Sequence, residues 1–465
     1  AVPCGQSFDG KSAPTYSNAG AVGAEKGFVV LVYDPVCQGE RGQQRDGRST
    51  WSSTAEHNNL GLRAFLLGES AAQVRIFDGI RAVDYLRSRT DVVDPGRIGV
   101  AGMSGGGTLS AYVNAFAEGV ACAAPSGFLS TVRDVYDNCG PQDAEQVIFG
   151  QLAHGLNHLG IVCLRAPSPI LISTSESDFF PQMGADVLLA NARSVYGVMG
   201  AAGKVAQVSV PGPHSWYRSQ KEVMFSWMSE WLGGRKGAYE ADHLSVRRRF
   251  LGYECRGDRA GIAEEPPPVR NVTPTGRVLD LPGELSIYDV YRDKLAAFGR
   301  RGRPTRAKVR EVTGIRELAE LSAAAIPAED GVVLSRADGT MIPVVYAHPA
   351  SPSGLPPALV VSDVPSRKFL ADAMKAALAE GRAVAIADLR GFGETGRSRH
   401  DANGKRPGDE EIARCLMALG DSLVARRAED LMLAAREVAK ALGAPTLLRA
   451  EGRAVIPAAH ARFLE

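Results

Sequence analysis

The stretch Arg97-Ile98-Gly99-Val100-Ala101-Gly102-Met103-Ser104-Gly105-Gly106-Gly107 constrains this chain more than any other. An apolar β-run leads into the pattern G-x-S-x-G, and a helix-forming segment from Thr108 to Ala117 follows. A strand that turns sharply into a helix at a serine thrusts the hydroxyl out of the backbone, exposed for attack on a carbonyl. Such a turn crowds the chain on itself, so residues without a Cβ are needed at Gly102, Gly105 and Gly106. With 51 glycines in the chain the bare pattern has little weight. Its place between a strand and a helix makes Ser104 a candidate nucleophile, against the plainer reading of a glycine-rich phosphate or packing loop.

Around this turn, strand-length apolar runs alternate with helical periods. Residues 28–33, 120–124, 169–174 and 205–210 read as buried parallel strands. Residues 15–26, 71–88, 185–198 and 217–232 read as helices, with Val74, Phe77, Ile80, Val83 and Leu86 forming the apolar face of the second. Residues 43–58 read as polar loop, and 128–166 as cap or insertion. The alternation predicts an α/β fold, a mostly parallel sheet with helices on both faces.

A serine nucleophile needs a base and an acid to orient it. Asp178 and His214 each follow the end of a predicted strand, giving the chain order Ser, Asp, His. His214 would take the Ser104 proton and return it to the leaving alcohol, while Asp178 would fix the imidazole tautomer. Glu176 is the rival acid, and a helix N-cap is the competing role for Asp178. The oxyanion hole is expected from the backbone N–H of Gly105 and one from the early loop Cys4-Gly5-Gln6, assigned to Gln6.

Eight segments extend this reading: CGQSFDGK, VVLVYDPVCQGERGQ, LLGES, FDGIRAVDYL, GMSGGG, DAEQVIFGQLAHGLNH, SESDFFP and PGPHSW, in that order within residues 1–234. Together they resemble the acetyl xylan esterase-like family of bacterial α/β-hydrolases, relatives of the dienelactone hydrolases. The resemblance implies an α/β-hydrolase fold, a triad at Ser104, Asp178 and His214, and a serine carboxylesterase that deacetylates xylan or related carbohydrate esters. It also favours a secreted or periplasmic location. Gln6 stands where relatives usually carry His, and Pro213 and Ser215 flank His214 where they more often have an acidic residue and Gly. The similar glucuronoyl esterases carry Arg near the nucleophile and dienelactone hydrolases use cysteine; Met103-Ser104-Gly105 matches neither. A serine peptidase or a broad-specificity esterase or lipase would use the same triad chemistry.

Net charge is +1, so no bulk electrostatic case exists for nucleic acid or an anionic membrane surface, and no apolar run is long enough to span a bilayer. The seven cysteines form no C-x-x-C pair, which argues against a zinc module or a disulfide scaffold. No metal or cofactor is expected. His154 and His158, spaced to share a helix face, lack a third ligand, and Gly391-Phe392-Gly393-Glu394-Thr395-Gly396 precedes polar loop, not the helix a dinucleotide site requires.

The length of 465 residues suggests two or three domains. Residues 1–234 are read as the catalytic domain, 235–330 as linker and bridging helices with Glu264-Glu265-Pro266-Pro267-Pro268 at its centre, and 331–465 as a second α/β-hydrolase-like domain. The second reading rests on an internal repeat. Gly27, Asp34, Gly39, Glu40 and Gly42 recur at one constant spacing as Gly381, Asp388, Gly393, Glu394 and Gly396, and Gly68, Ser70 and Asp78 recur at a nearly equal spacing as Gly420, Ser422 and Asp430. The repeat's counterpart of the Ser104 turn, Leu447 to Ala454, has no nucleophile, and no Ser or Cys occurs from Leu423 onward. This domain is therefore expected to be degenerate, with a carbohydrate-binding or structural role. Both ends read as cut from a longer tandem protein, with any export signal upstream of Ala1.

Overall fold

The computed structural model describes residues 1–45, 53–138, 142–235, 237–239, 271–299, 302–363, 367–397, 408–442 and 447–465. They fall into two compact units, Ala1–Arg300 and Arg301–Glu465. The proline run at 266–268, Cys139, Cys255 and the polar loop after Arg397 lie outside the described residues.

In the first unit the strands are β1 (Val2–Pro3), β2 (Val32–Tyr33), β3 (Ile98–Met103), β4 (Val120–Ser126), β5 (Ile170–Ser177) and β6 (Val205–Pro213). The helices are α1 (Pro14–Glu25), α2 (Ser53–Phe65), α3 (Ala71–Ser88), α4 (Gly105–Phe116), α5 (Val132–Asp137), α6 (His158–Cys163), α7 (Gln182–Val198), α8 (Arg218–Trp231) and α9 (Ile287–Ala297). Strands β3-β4-β5-β6 form one parallel sheet in that order, and β1 pairs in parallel with β2. Ala1 bridges the two groups: its amino group donates to the Gly99 carbonyl (2.7 Å), and its carbonyl accepts from Ala101 N–H (3.1 Å), the pattern of a parallel ladder. The strand sequence across the unit is thus β2-β1-β3-β4-β5-β6.

Each strand of a doubly covered sheet must be apolar on both faces, and β3 is. Ile98 and Val100 join one core with side chains of α3, α4, α6 and α7, while Ala101 and Met103 join the other with α1 and α8. With helices on both faces and a serine turn after a central strand, the unit has the α/β-hydrolase fold. Residues 271–299, inside the sequence-defined linker, pack here. Glu40 accepts from the backbone N–H groups of Val272 and Thr273, and Tyr291 is buried against Val36 and Leu60.

Local elements differ from the sequence reading where packing overrides pattern. Only Val32 and Tyr33 of the run 28–33 pair as a strand. Helix α2 begins at Ser53, inside residues read as loop. Helix α3 spans the predicted residues, but its buried face is shifted: Arg75, Ile76, Gly79, Ala82, Val83 and Leu86 are buried, and Phe77 is exposed. His154 and His158 do not share a helix, since α6 starts at His158; His154 is exposed, and buried His158 donates from Nδ1 to the Ser130 carbonyl (2.8 Å).

The second unit holds β7 (Ala324–Ala328), β8 (Gly331–Ser335), β9 (Met341–Ala347), β10 (Ala358–Ser362), β11 (Val384–Ala387) and β12 (Leu447–Glu451). Its helices are α10 (Arg306–Thr313), α11 (Arg367–Ala379), α12 (Asp409–Ala418), α13 (Leu423–Leu442) and α14 (Val455–Leu464). They cover a mixed sheet of order β12-β10-β11-β9-β8-β7. Ile315 and Leu321, from the sequence-defined linker, belong to this unit's core. The segment β11-β10-β12 is parallel, with the order and direction of β2-β1-β3 in the first unit.

The repeat residues adopt like conformations. Asp34 accepts from the N–H of Glu40, and Asp388 from that of Glu394. The intervening glycines have the same left-handed backbone, φ 50° at Gly39 and 49° at Gly393, and a Cβ on either would strike its aspartate. Asp78 accepts from Val36 N–H, and Asp430 from Arg390 N–H.

Two buried histidines set an acid limit on stability. Burial, reinforced at His57 by the Arg75 charge, pushes both His57 and His158 down to about 4. A histidine in the unfolded chain titrates near ~6.5, so between these values the unfolded state binds protons that the native state does not. Stability is therefore lost as pH falls through this window, by up to ~1.4 kcal/mol per pH unit for each histidine. The urea midpoint is expected to drop between pH 7 and pH 5, and His158→Gln to make that drop shallower. A midpoint that does not change with pH would contradict the burial of these rings as neutral species.

Candidate active site

Ser104 occupies the turn between β3 and α4 with φ 58° and ψ −122°, a backbone conformation rare for a residue with a Cβ. Its surroundings over-determine that strain. A Cβ at Gly102 would lie 2.5 Å from the Gly106 carbonyl oxygen, and one at Gly106 would lie 2.3 Å from the Pro3 carbonyl oxygen. The glycines thus let α4 close against both its own strand and β1. Gly105 opens α4, so its N–H points out of a helix N-terminus, where negative charge is favoured.

Asp178 and His214 lie just beyond β5 and in the loop after β6. His214 Nδ1 is 2.8 Å and 2.9 Å from the two Asp178 carboxylate oxygens. The carboxylate can only accept, so Nδ1 carries the proton and Nε2 is left as the basic nitrogen. The Asp178 side chain is 1% exposed, and it also accepts from Phe180 N–H (3.0 Å), which fixes its rotation. Glu176 is exposed on the strand end.

Ser104 and His214 line one cavity of about 360 Å³ with Gln6, Asp143, Phe179 and Trp216. The Phe179 ring lies on the His214 imidazole, centroids 4.0 Å apart. Tyr16, Phe180 and Trp216 also border the cavity but are buried, so Phe179 is the exposed aromatic ring beside His214.

Gln6 reaches the turn through its side chain. Its Oε1 accepts from Gly105 N–H (3.1 Å) and from Ser104 Oγ (3.2 Å), and its Nε2 donates to Asp143 (3.2 Å) and Glu145. The Gln6 backbone N–H, the sequence-assigned oxyanion donor, has no hydrogen-bond partner among the described residues.

Behind Gln6 lies a buried charged cluster that sequence reasoning missed. Arg75, His57 and Glu145 are each fully buried. Arg75 Nε lies 2.8 Å from Glu145 Oε2, and Arg75 Nη1 donates to Gln38 Oε1 (2.9 Å) and His57 Nε2 (2.7 Å). Arginine only donates, so His57 Nε2 is unprotonated and Nδ1–H faces Glu145 at 3.2 Å. Burial alone would raise the Glu145 carboxyl, but the Arg75 charge and the His57 hydrogen bond hold it below the usual range, as a carboxylate. Gln38 also donates to the Gly5 carbonyl, so the cluster anchors the loop that carries Gln6. The available signal was an arginine amid the apolar positions of α3.

In the second unit the position after β12 is Gly452, with φ 61°. A Cβ there would lie 1.8 Å from Asp363 Oδ1. Asp363 pairs with Arg453, which also lies 2.7 Å from Asp409. Gly452 has no hydroxyl or thiol to offer. Among the described residues no group of three or more His, Cys, Asp or Glu could hold a metal ion, and no helix is long and apolar enough to cross a membrane.

No protein-family model matches the chain, and no curated protein matches it. Among solved structures it is similar to methylesterase BT1017, with 18% identity, a TM-score of 0.45, and coverage of 64% of this chain and 60% of that one. It is also similar to a carbohydrate esterase family 15 glucuronoyl esterase from Caldicellulosiruptor kristjansonii, with 17% identity, a TM-score of 0.32, and coverage of 37% and 53%. The glucuronoyl esterase catalytic domain from Hypocrea jecorina gives 15% identity, a TM-score of 0.32, and coverage of 38% and 56%. The chain thus spans 60% or less of each of these structures.

The buried pair generates a stability prediction. Arg75→Met strands the Glu145 carboxylate in the interior and is expected to cost about 3–5 kcal/mol in urea unfolding. Adding Glu145→Gln removes the stranded charge and is expected to recover much of that loss. A double variant no more stable than Arg75→Met would show that the pair's charge is not what matters.

Proposed function

We propose that the first unit is a serine carboxylesterase acting on carbohydrate esters, with acetylated xylan or related acetylated sugars as its substrate class. The observation that carries this reading is the meeting, in one cavity, of a strained serine at a helix N-terminus and a histidine held by a buried aspartate. In this reading His214 Nε2 takes the Ser104 proton as Oγ attacks the ester carbon. The tetrahedral oxyanion is held by the N–H groups of Gly105 and Gln6, and the protonated imidazole, stabilised by Asp178, gives its proton to the departing sugar hydroxyl. Water then follows the same path to release the acid. The exposed Phe179 ring at the cavity beside His214 supports a sugar ring as the alcohol side.

The second unit is proposed to be a duplicated α/β-hydrolase-like domain that does no chemistry and serves a structural or carbohydrate-binding role. The matching Asp-Gly loops, the shared order of three parallel strands and the bare glycine at its turn support this. Without an attacking atom, acyl transfer by this route has no first step.

Hydrolysis of 4-nitrophenyl acetate and of acetylated xylo-oligosaccharide, beside a methyl uronate ester and a peptide anilide, tests the substrate class. Preference for the acetates is expected; preferential anilide cleavage would move the reading to a peptidase. In the full chain Ser104→Ala is expected to lower kcat by ~10³-fold or more, leaving nothing attributable to the second unit. Asp178→Asn is expected to lower kcat by at least ~10²-fold, and Glu176→Gln to stay within about twofold of the parent. The reverse ranking of those two variants would transfer the acid's role to Glu176.

A further inference from the structure

We propose that the Gln6 side chain is a reversible occupant of the oxyanion position, which the carbonyl oxygen of the substrate displaces on binding. This rests on Ser104 being the nucleophile.

A primary amide offers two N–H donors and a carbonyl oxygen with two lone pairs. All are used. The two donors meet carboxylates, Asp143 and Glu145, while the oxygen meets two donors, Gly105 N–H and Ser104 Oγ–H. The opposite orientation would turn an amide NH₂ toward Gly105 N–H and a carbonyl oxygen toward two carboxylates, so the neighbours determine which way the amide faces. Glu145 cannot follow a different arrangement, because it is buried and clamped by Arg75 and His57.

The group held at the turn is therefore an sp² carbonyl oxygen, chemically like the one an ester presents. It accepts the N–H that a developing oxyanion requires. It also accepts the hydroxyl proton of Ser104, which must instead be directed at His214 for attack. One displacement serves both ends: the incoming carbonyl takes the Gly105 N–H, and the Ser104 hydroxyl is released toward the base. The cost falls on substrate binding, since two hydrogen bonds of a satisfied amide must be exchanged first.

The test compares Gln6→Ala and Gln6→Met with the parent in the full chain, using steady-state hydrolysis of 4-nitrophenyl acetate and thermal melting by circular dichroism. Gln6→Ala vacates the position. Gln6→Met keeps the length of the side chain and removes the amide oxygen. Both are expected to lower KM and raise kcat/KM, by roughly tenfold for Gln6→Ala. An unchanged or reduced kcat/KM in folded variants overturns the proposal and makes the amide a supporting group of the site. If Gln6→Ala does not fold, Gln6→Met decides by the same criterion. Ser104→Ala measured alongside separates the two readings. Activity retained by folded Ser104→Ala denies the nucleophile, whereas an inactive Ser104→Ala with no gain in the Gln6 variants denies only the occupancy.

Discussion

The site depends on a charge buried where water cannot reach it. Arg75 sits on α3, among positions that otherwise pack the core, and its guanidinium has nowhere to go but to Glu145, His57 and Gln38. Burying a guanidinium or a carboxylate alone would cost several kcal/mol, so each group compels the other to stay. The result is a fixed point joining α2, α3, the loop after β2 and the turn before α6. The loop carrying Gln6 hangs from it through Gln38 and Glu145. An apolar core would bring these segments together without fixing where a carbonyl or an amide faces. The ion pair does so because hydrogen bonds to charged groups are directional and strong.

Strain at Ser104 is the complementary constraint. A left-handed serine is unfavourable in isolation, and it persists because β1, β3 and α4 approach so closely that only hydrogen atoms fit at Gly102 and Gly106. The hydroxyl is thereby presented at the mouth of a cavity while the helix N-terminus behind it supplies an N–H. The His214–Asp178 pair is built differently. It stands on strand ends, where the sheet's own register places β5 and β6 side by side, Ser177 opposite Pro213. A rigid sheet edge thus converts two residues far apart in sequence into a pair within hydrogen-bond distance.

The second unit is organised by charge of its own. Gly452, after β12, has a positive φ, and the space beside it is filled by Asp363 and its ion pair with Arg453. Arg316, Arg336 and Arg426 gather on the buried Glu429, and Arg336 and Arg390 on the buried Asp430. These hydrogen bonds hold the Glu429 carboxyl down at about 2 against the opposing effect of burial. Charge here organises packing.

The sequence by itself determined the strand–turn–helix at Ser104, because a β-run, a glycine-flanked serine and a helix former are local properties carried by backbone sterics. It also determined the alternation of strands and helices and the candidate order Ser104, Asp178, His214. The repeat was legible because Asp34-Gly39 and Asp388-Gly393 solve the same short-range problem, a carboxylate against a glycine with positive φ. Only the tertiary structure decided which face of α3 is buried, since periodicity cannot see that Arg75 has a partner near residue 145. It alone separated Asp178 from Glu176, two residues apart at the end of one strand, by bringing the first within hydrogen-bond distance of His214 and leaving the second exposed. Gln6 is the clearest case. Its place beside Ser104 was readable as a loop position, but what its side chain does there depends on Asp143 and Glu145, more than a hundred residues away. Long-range electrostatics, unlike backbone sterics, leaves no local pattern to read.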